Sequence, residues 1–319
     1  MSSTLITGGA GFIGSNLVDR LLARGQSVVA VDNFDAFYAE KTKRANLVNA
    51  LREPRFKLIQ TDIRDRGAIE RVFAEHRPQT VVHLAAKAGV RPSIEDPLAY
   101  ADVNVNGTVI LLDLAARAKC RRFIFASSSS VYGNNPKSPF HEDDRVDDPI
   151  SPYAATKKAG ELLCHAFHHL HGLPITCLRF FTVYGPRCRP DLAIAKFTRL
   201  VDAGERVPMF GDGRMRRDFT HISDILDGVE RAIERCSGFH LYNLGESRPI
   251  ELRRMIELIA ESLGKPALID QLPRQPGDVE LTFADITRAR EELGYAPCVT
   301  FEAGIAEYVR WYKQSRCIA

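Results

Sequence analysis

Short, continuous apolar runs alternate with amphipathic stretches through the first half of the chain. Runs such as Val28–Val31 have the length of a strand, and between them apolar residues such as Ile13 and Leu17 recur at helical spacing. The predicted strands are 5–6, Ser27–Val31, Phe56–Ile59, Thr80–Leu84, Arg122–Ala126 and Ile175–Phe180. The predicted helices are Phe12–Ala23, Lys41–Leu51, Arg66–Glu75, Pro97–Ala118 and Pro152–His171. Apolar strands separated by helices predict an α/β fold whose doubly wound parallel sheet is covered on both faces, as in Rossmann domains.

The alternation ends after Pro186, where proline, glycine and arginine become frequent. Helices are still predicted at Leu192–Ala203, Ser223–Ile233, Leu252–Leu263 and Phe301–Trp311. The strand-like segment 241–244 is expected to return to the large sheet. We therefore predict a Rossmann domain over 1–185, with returning segments near 220–260, and a smaller, interleaved C-terminal α/β domain over 186–319.

Composition narrows the class of protein. The 319 residues are 45% hydrophobic and 26% charged, which is ordinary for a globular protein, and the net charge of +3 does not suggest a nucleic-acid partner. The 7 cysteines form no C-x-x-C pair, which argues against a disulfide framework or zinc site and favours a reducing cytosol. His165 and His169 share a helix face without an accompanying ligand set, so no metal site is predicted. With neither a signal peptide nor a membrane-length apolar run, we expect a cytoplasmic protein that does not bind membranes.

A glycine-rich loop joins the first strand to the first helix. Gly8, Gly11 and Gly14 allow a tight turn, and backbone N–H groups together with the helix N-terminus can hold a pyrophosphate. Asp32 closes the second strand at close to the roughly 20-residue spacing expected of a ribose-binding acid. Its carboxylate would accept hydrogen bonds from the ribose and repel a 2′-phosphate. The sequence therefore predicts NAD, in preference to NADP, as cofactor.

Tyr153 and Lys157 form a Y-x-x-x-K pair on one face of the helix that Ser151 and Pro152 begin. A base working near neutral pH needs a tyrosine whose pKa lies well below about 10, and a cation within about 4–6 Å favours the phenolate. The Lys157 ammonium is such a cation. Ser128 follows the fifth strand at the carboxyl edge of the sheet, where its hydroxyl could relay a proton between substrate and Tyr153.

Taken together, these motifs resemble the extended short-chain dehydrogenase/reductases of the NAD-dependent epimerase/dehydratase family. The resemblance covers nearly the whole chain and is greatest to the UDP-glucuronate 4-epimerases, although Pro92 stands where those proteins usually have tyrosine. The matching stretches are His83–Ser93, Arg179–Pro186, Arg189–Ala193, Arg217–Thr220 and Gln275–Val279.

The resemblance implies a set of binding residues at successive strand ends. The implied cofactor-binding residues are Gly8, Gly11, Phe12, Ile13, Gly14, Asp32, Asn33, Asp62, Ile63, Leu84, Ala85, Ala86, Lys87, Asn104, Tyr153, Lys157 and Phe180. The implied substrate-binding residues are Arg91, Ser128, Ser129, Ser130, Thr182, Arg189, Arg217 and Asp278. Asp62 and Ile63 would face the adenine, and Phe180 the nicotinamide. Arg189 and Arg217 could instead be surface charges, and Phe180 could be simple core.

The implied activity is 4-epimerisation of a UDP-sugar through a 4-keto intermediate, with UDP-glucuronate as the expected substrate. Dehydratases of this family have an Asp-Glu pair, and glucuronate decarboxylases a Glu, where this chain has Ser129 and Ser130, so elimination is disfavoured. UDP-glucose 4-epimerisation, NAD(P)H-dependent carbonyl reduction and redox-sensing NAD binding are the alternatives. Family members pair two long helices across subunits, so the resemblance also implies a homodimer through Pro97–Ala118 and Pro152–His171.

Overall fold

A computed structural model describes residues 3–273 and 281–316. The chain forms two compact units, and the first contains the described residues within 1–134, 142–180 and 228–243. The second contains those within 135–141, 181–227 and 244–319. The main boundary therefore falls between Phe180 and Phe181, a few residues before the predicted position, and the returning segment is 228–243.

Elements are numbered in chain order. The strands are β1 Ser3–Thr7, β2 Ser27–Asp32, β3 Phe56–Gln60, β4 Thr80–His83, β5 Arg122–Ser128, β6 Ile175–Phe180, β7 Thr182–Tyr184, β8 Arg206–Phe210, β9 Arg216–His221, β10 Phe239–Leu244, β11 Pro249–Glu251, β12 Leu268–Leu272 and β13 Leu281–Thr282. The α-helices are α1 Phe12–Ala23, α2 Glu40–Asn46, α3 Arg66–His76, α4 Val90–Glu95, α5 Pro97–Ala101, α6 Gly107–Arg117, α7 Pro152–His171, α8 Ala193–Ala203, α9 Ile222–Arg235, α10 Leu252–Leu263 and α11 Phe301–Arg316.

The first unit is built on a seven-stranded sheet in the order β10-β6-β5-β4-β1-β2-β3. From β3 across to β6 every neighbouring pair is parallel, which confirms the predicted doubly wound fold. The central strands carry apolar residues on both faces because helices cover both, and Leu5, Val81 and Phe123 have no exposed surface. The strand order reverses between β1 and β4, so the cleft at the carboxyl ends of these strands is the expected ligand site.

The predicted helix over Pro97–Ala118 is interrupted. Residues Asp102–Asn106 form a π-helical segment between α5 and α6, a feature that hydrophobic periodicity does not reveal. The predicted helix over Lys41–Leu51 is also shorter, because α2 ends at Asn46 and a separate 3₁₀ turn covers Ala50–Arg52.

The second unit contains two smaller sheets. β9 pairs antiparallel with β11 and parallel with β13 and β7, while β12 and β8 form a parallel pair. No helix within residues 3–273 and 281–316 is long and apolar enough to cross a bilayer.

Candidate active site at the carboxyl edge of the large sheet

The glycine loop fits a pyrophosphate. Gly8 has φ +71°, and a Cβ there would lie 2.8 Å from the backbone nitrogen of Ala85. A Cβ at Gly14 would collide with the Gly8 carbonyl oxygen. Gly11 is the N-cap of α1 and has no side chain with which to cap it, so N–H groups of the first turn remain available to an anion. The turn is therefore close-packed and uncapped, as the pyrophosphate cradle predicted around Gly8, Gly11, Phe12, Ile13 and Gly14 requires.

Asp32 ends β2 beside this loop. One carboxylate oxygen accepts from the Ala10 N–H at 3.0 Å, and the other accepts from the Phe34 N–H at 2.8 Å. The Lys43 ammonium lies 4.0 Å from the second oxygen and donates to the Asp35 carbonyl at 2.9 Å. Sequence reasoning missed Lys43, because its spacing from Asp32 carries no motif and only α2 brings the two charges together.

Asn33 directly follows β2, and Asp62, which the family resemblance places with Ile63 against the adenine, follows β3. The Asn33 amide donates to Asp62 at 2.9 Å, and the Arg64 guanidinium bonds both oxygens of the same carboxylate. The Arg64 hydrogen bonds lower the pKa of Asp62 to about 2, so it is ionised at neutral pH. Ile63 is buried, and a Cβ at Gly107 would meet its Cδ1 at 2.5 Å, so its side chain is part of the core and its backbone is what could face a ligand.

The segment that follows β4 consists of Leu84, Ala85, Ala86 and Lys87, and hydrogen bonds with Asn104 fix its last residue. Asn104, in the π-helical segment, accepts from the Lys87 N–H at 2.8 Å and donates to the Lys87 carbonyl at 3.0 Å. Its amide also donates to Thr156 in α7 at 3.0 Å. Asn104 is 3% exposed. Its side chain therefore fixes the Lys87 backbone, so its influence on a cofactor would pass through that segment.

His83 lies under the same segment and ties β4 to its neighbours. Its ring nitrogens lie 2.7 Å from the Thr7 hydroxyl and 2.9 Å from the Thr108 hydroxyl. Burial, together with the nearby Lys157 cation, lowers the pKa of His83 to about 3, so the ring is neutral. The ends of β1 and β4 are thus joined by an uncharged hydrogen-bond bridge.

The predicted catalytic pair lies in the first two turns of α7. The Ser151 hydroxyl accepts from the Ala154 N–H at 3.1 Å as N-cap, and Pro152 occupies the first turn. The Lys157 Nζ donates to the Ala126 carbonyl of β5 at 2.7 Å and lies 6.0 Å from the centroid of the Tyr153 ring. Burial lowers the pKa of the Lys157 ammonium to about 8, while the Cys164 and Glu161 charges oppose that shift.

Three serines follow at the end of β5. Ser128 accepts from the Ser130 N–H at 3.2 Å and from the Ser130 hydroxyl at 2.9 Å, and so caps the 3₁₀ turn Ser129–Tyr132. The Ser128 hydroxyl also carries one proton of its own, which it can donate to a further acceptor. Phe180 is the register partner of Ser128 across β5 and β6, so the two residues lie side by side at the sheet edge.

A buried ionic network supports these elements, and sequence reasoning missed it. Arg179 in β6 makes two hydrogen bonds to Glu161 in α7, at 2.8 and 2.9 Å. Glu161 also accepts from Ser127, which precedes Ser128, at 2.6 Å, and Arg179 donates to the Tyr132 hydroxyl at 3.0 Å. The signals were an arginine inside an apolar strand and a glutamate one turn beyond Lys157.

The remaining predicted substrate residues belong to both units. Arg91 is exposed on α4 of the first unit. In the second unit, Thr182 opens β7, Arg189 pairs with Asp191 at 2.7 Å, and the Arg217 guanidinium donates to the Arg216 carbonyl at 3.0 Å. Asp278 lies outside the described residues.

Asp218, next to Arg217, is a buried carboxylate that the sequence analysis did not single out. It accepts from the N–H groups of Glu246 at 2.8 Å, of Ser247 at 3.0 Å and of Ala284 at 3.0 Å. Thr220 donates to it at 3.2 Å. The acid of the R-D-F-T stretch thus fixes two other backbone segments of the second unit, one at Glu246 and Ser247 and one at Ala284.

Across residues 3–273 and 281–316, no group of three or more His, Cys, Asp or Glu side chains is arranged to hold a metal ion. At this edge of the sheet the structure places the Lys157 ammonium, the Tyr153 ring and the hydroxyl groups that follow β5. That combination, on a doubly wound sheet, is the one expected of an NAD-dependent enzyme of the short-chain dehydrogenase/reductase type.

Comparison with known proteins specifies the family. Residues 5–308 match the family model described as GDP-mannose 4,6 dehydratase, and the chain belongs to this family of NAD-dependent epimerases and dehydratases. The chain is 40% identical to a UDP-glucuronate 4-epimerase of Thermodesulfobacterium geofontis, over 99% of this chain and 97% of that protein.

Two solved structures are similar over almost their full length. One is a UDP-glucuronic acid 4-epimerase from Bacillus cereus in complex with UDP-glucuronic acid and NAD, with a TM-score of 0.92, 35% identity and coverage of 98% of this chain and 99% of that one. The other is a UDP-glucose 4-epimerase from Thermotoga maritima with UDP-glucose, with a TM-score of 0.90, 33% identity and the same coverage.

Proposed function

We propose that this protein is an NAD-dependent isomerase that interconverts UDP-glucuronate and UDP-galacturonate at C4 of the sugar. The observation that carries the proposal is the attachment of the Tyr153–Lys157 helix to β5 beside a strand end that holds only hydroxyl groups. Lys157 bonds the Ala126 carbonyl, two residues before Ser128. The similarity to UDP-glucuronate 4-epimerases over nearly the full length of the chain supports the choice of substrate.

The residues of this chain would move one proton. Tyr153, as phenolate, removes the proton from the C4 hydroxyl, and the Ser128 hydroxyl assists by donating a hydrogen bond. The Lys157 ammonium stabilises the phenolate through its charge. When bound, NAD supplies reversible hydride transfer at C4. After the 4-keto sugar has rotated in the pocket, the hydride returns to the opposite face of C4 and Tyr153 returns its proton. The substrate therefore undergoes no net oxidation.

The strand-end serines suit a uronic acid. A 4-keto uronate is a β-keto acid, which loses CO2 when its carboxylate bond aligns with the ketone π system. Hydroxyl groups at Ser129, Ser130 and Thr182 would hold the carboxylate out of that alignment without supplying an acid. Arg91, Arg189, Arg217 and Asp278 are proposed to contact the rest of the UDP-sugar.

UDP-glucose is the second candidate substrate, which the similarity to the Thermotoga maritima enzyme favours. The deciding experiment supplies purified protein with UDP-glucuronate or UDP-glucose and separates the products by chromatography. We expect faster 4-epimerisation of UDP-glucuronate without added NADH, and near-complete loss of activity in Tyr153→Phe. Net consumption of NAD(P)H would instead indicate a carbonyl reductase, and faster turnover of UDP-glucose would reverse the assignment of substrate.

A second experiment tests the proposed grip on the carboxylate. Ser129→Ala and Thr182→Ala should release a UDP-pentose beside the epimer, detected by mass spectrometry, because the keto acid can then reach the aligned geometry. Ser262→Ala, at a residue whose carbonyl bonds Lys313 in the second unit, is the matched control and should yield no pentose. Variants that form only C4 epimers would contradict this role.

We also propose that the protein is a cytoplasmic homodimer that pairs through α5 and α7. Leu98 is 81% exposed on α5, and Leu162 and Leu170 are 59% and 71% exposed on α7. The helices α5 and α7 pack against each other, and a contiguous exposed apolar patch marks an association surface. Leu98→Glu with Leu162→Glu should halve the mass measured by light scattering, whereas Leu51→Glu, at a leucine that is 56% exposed elsewhere, should not. An unchanged mass in the double variant would contradict the interface.

A further inference from the structure

The choice between dinucleotides depends on Asp32 in the sequence argument, but the structure places a second charge beside it. Lys43 is 6% exposed, and its ammonium lies 4.0 Å from an Asp32 oxygen. The same ammonium donates to the Asp35 carbonyl and lies 4.9 Å from the centroid of the Tyr38 ring. A cation is therefore fixed at the end of β2, on the carboxylate expected to receive the adenosine ribose.

We propose that Lys43 is a specificity-determining residue of the dinucleotide site: it complements Asp32 at the ribose and forms a latent 2′-phosphate site that the Asp32 carboxylate masks. The proposal rests on the NAD dependence of the proposed function. A 2′-phosphate carries roughly −1.5 to −2 charges at neutral pH. Asp32 repels it, and the same carboxylate neutralises the lysine that would otherwise attract it.

Two neighbouring charged residues, Arg44 and Asp35, have partners of their own. Arg44 on α2 donates hydrogen bonds to Glu40 at 2.7 Å and to Gln60 at 3.0 Å. Its guanidinium also lies 4.4 Å from the centroid of the Phe34 ring. The Asp35 carboxylate lies 3.7 Å from the Lys87 ammonium. Within the described residues, Asp32 is thus the only carboxylate at ion-pair distance from the Lys43 ammonium. A buried cation that loses such a partner gains most from a new anion.

Asp32→Asn removes this charge while its amide oxygen can still accept from Phe34. We expect the variant to gain affinity for NADP by roughly tenfold or more relative to NAD, because a charge-assisted contact to Lys43 becomes available. Asp32→Asn/Lys43→Met should lose that gain. Asp32→Asn/Arg44→Met is the matched control, since Arg44 is an adjacent cation with its own partners, and should keep it.

The readout is the identity of the bound dinucleotide. Full-length protein is exchanged against mixtures of NAD and NADP and desalted, and the nucleotides released on denaturation are separated by chromatography. If Asp32→Asn does not fold, Lys43→Met in the wild-type background is decisive, because it should lower the small NADP share further. NADP capture that is equal with and without Lys43 would overturn the proposal. Protein that captures neither dinucleotide would instead overturn the proposed function.

Discussion

The two units differ in the groups that compensate a buried charge. In the first, Arg179 and Glu161 neutralise one another through paired side-chain hydrogen bonds that join β6 to α7. In the second, the Asp218 carboxylate is held by three backbone N–H groups and the Thr220 hydroxyl. Burial raises the pKa of Asp218 in spite of these bonds. A side-chain ion pair locks two elements to each other, whereas a carboxylate bonded to backbone gathers several loops around one point.

The comparison predicts the largest effect for Arg179→Met. Removing one partner of a buried pair leaves an uncompensated charge on Glu161, and this typically costs about 3–5 kcal/mol. Denaturant unfolding should show a loss of this size in the free energy of unfolding. Because Glu161 lies one turn from Lys157 and bonds Ser127, kcat should fall as well.

A double variant distinguishes charge from packing. Arg179→Met/Glu161→Gln should recover part of the stability, because no uncompensated charge remains. If the double variant is no more stable than Arg179→Met, the loss comes from packing, and the uncompensated charge on Glu161 does not cause it.

Asp218→Asn should have a smaller effect, about 2 kcal/mol, because one oxygen still accepts while the new amide opposes N–H donors. Hydrogen exchange followed by mass spectrometry should show faster exchange in segments around Glu246 and Ala284, and unchanged exchange in β5 and β6. Uniform loosening across both units would contradict a local role for this carboxylate.

The pH dependence of stability should also differ between the units. Burial raises the pKa of Glu246 to about 7, and Asp218 shifts in the same direction. A raised carboxyl pKa means that the folded state holds the proton more tightly, so stability falls as pH rises from about 4.5 through 7.

Glu246→Gln should flatten that fall in Tm, whereas Glu53→Gln, at an exposed glutamate of the first unit, should leave it in place. A Tm that falls equally between pH 5 and 8 in wild type and Glu246→Gln would show that this carboxyl does not carry the effect.

Ser127→Ala is the smallest change that sharpens the comparison. It removes one hydrogen bond to Glu161 while both bonds from Arg179 remain, so we expect a loss of about 1 kcal/mol in denaturant unfolding. A loss as large as that of Arg179→Met would mean that the serine, and not the ion pair, holds the network together.

Short sequence motifs predicted those parts of the candidate site whose residues lie close together along the chain. The glycine loop, the acid ending β2 and the tyrosine and lysine on one helix face follow from spacing alone, because each motif lies within one element or one turn. The neighbours Lys43 with Asp32 and Arg179 with Glu161 come from separate elements. Only the packing of those elements decides their distance, so periodicity could not predict either pair.

The π-helical segment that contains Asn104 is equivalent to an α-helix with one residue inserted. Each residue of an α-helix advances the face by about 100°, so deleting Val105 would let the chain run on as a regular helix. The price would be a rotation of everything before the deletion relative to everything after it, carrying the amide of Asn104 away from Lys87. A protein shortened in this way would keep its helical content, but the segment that follows β4 would lose the hydrogen bonds between Asn104 and the Lys87 backbone.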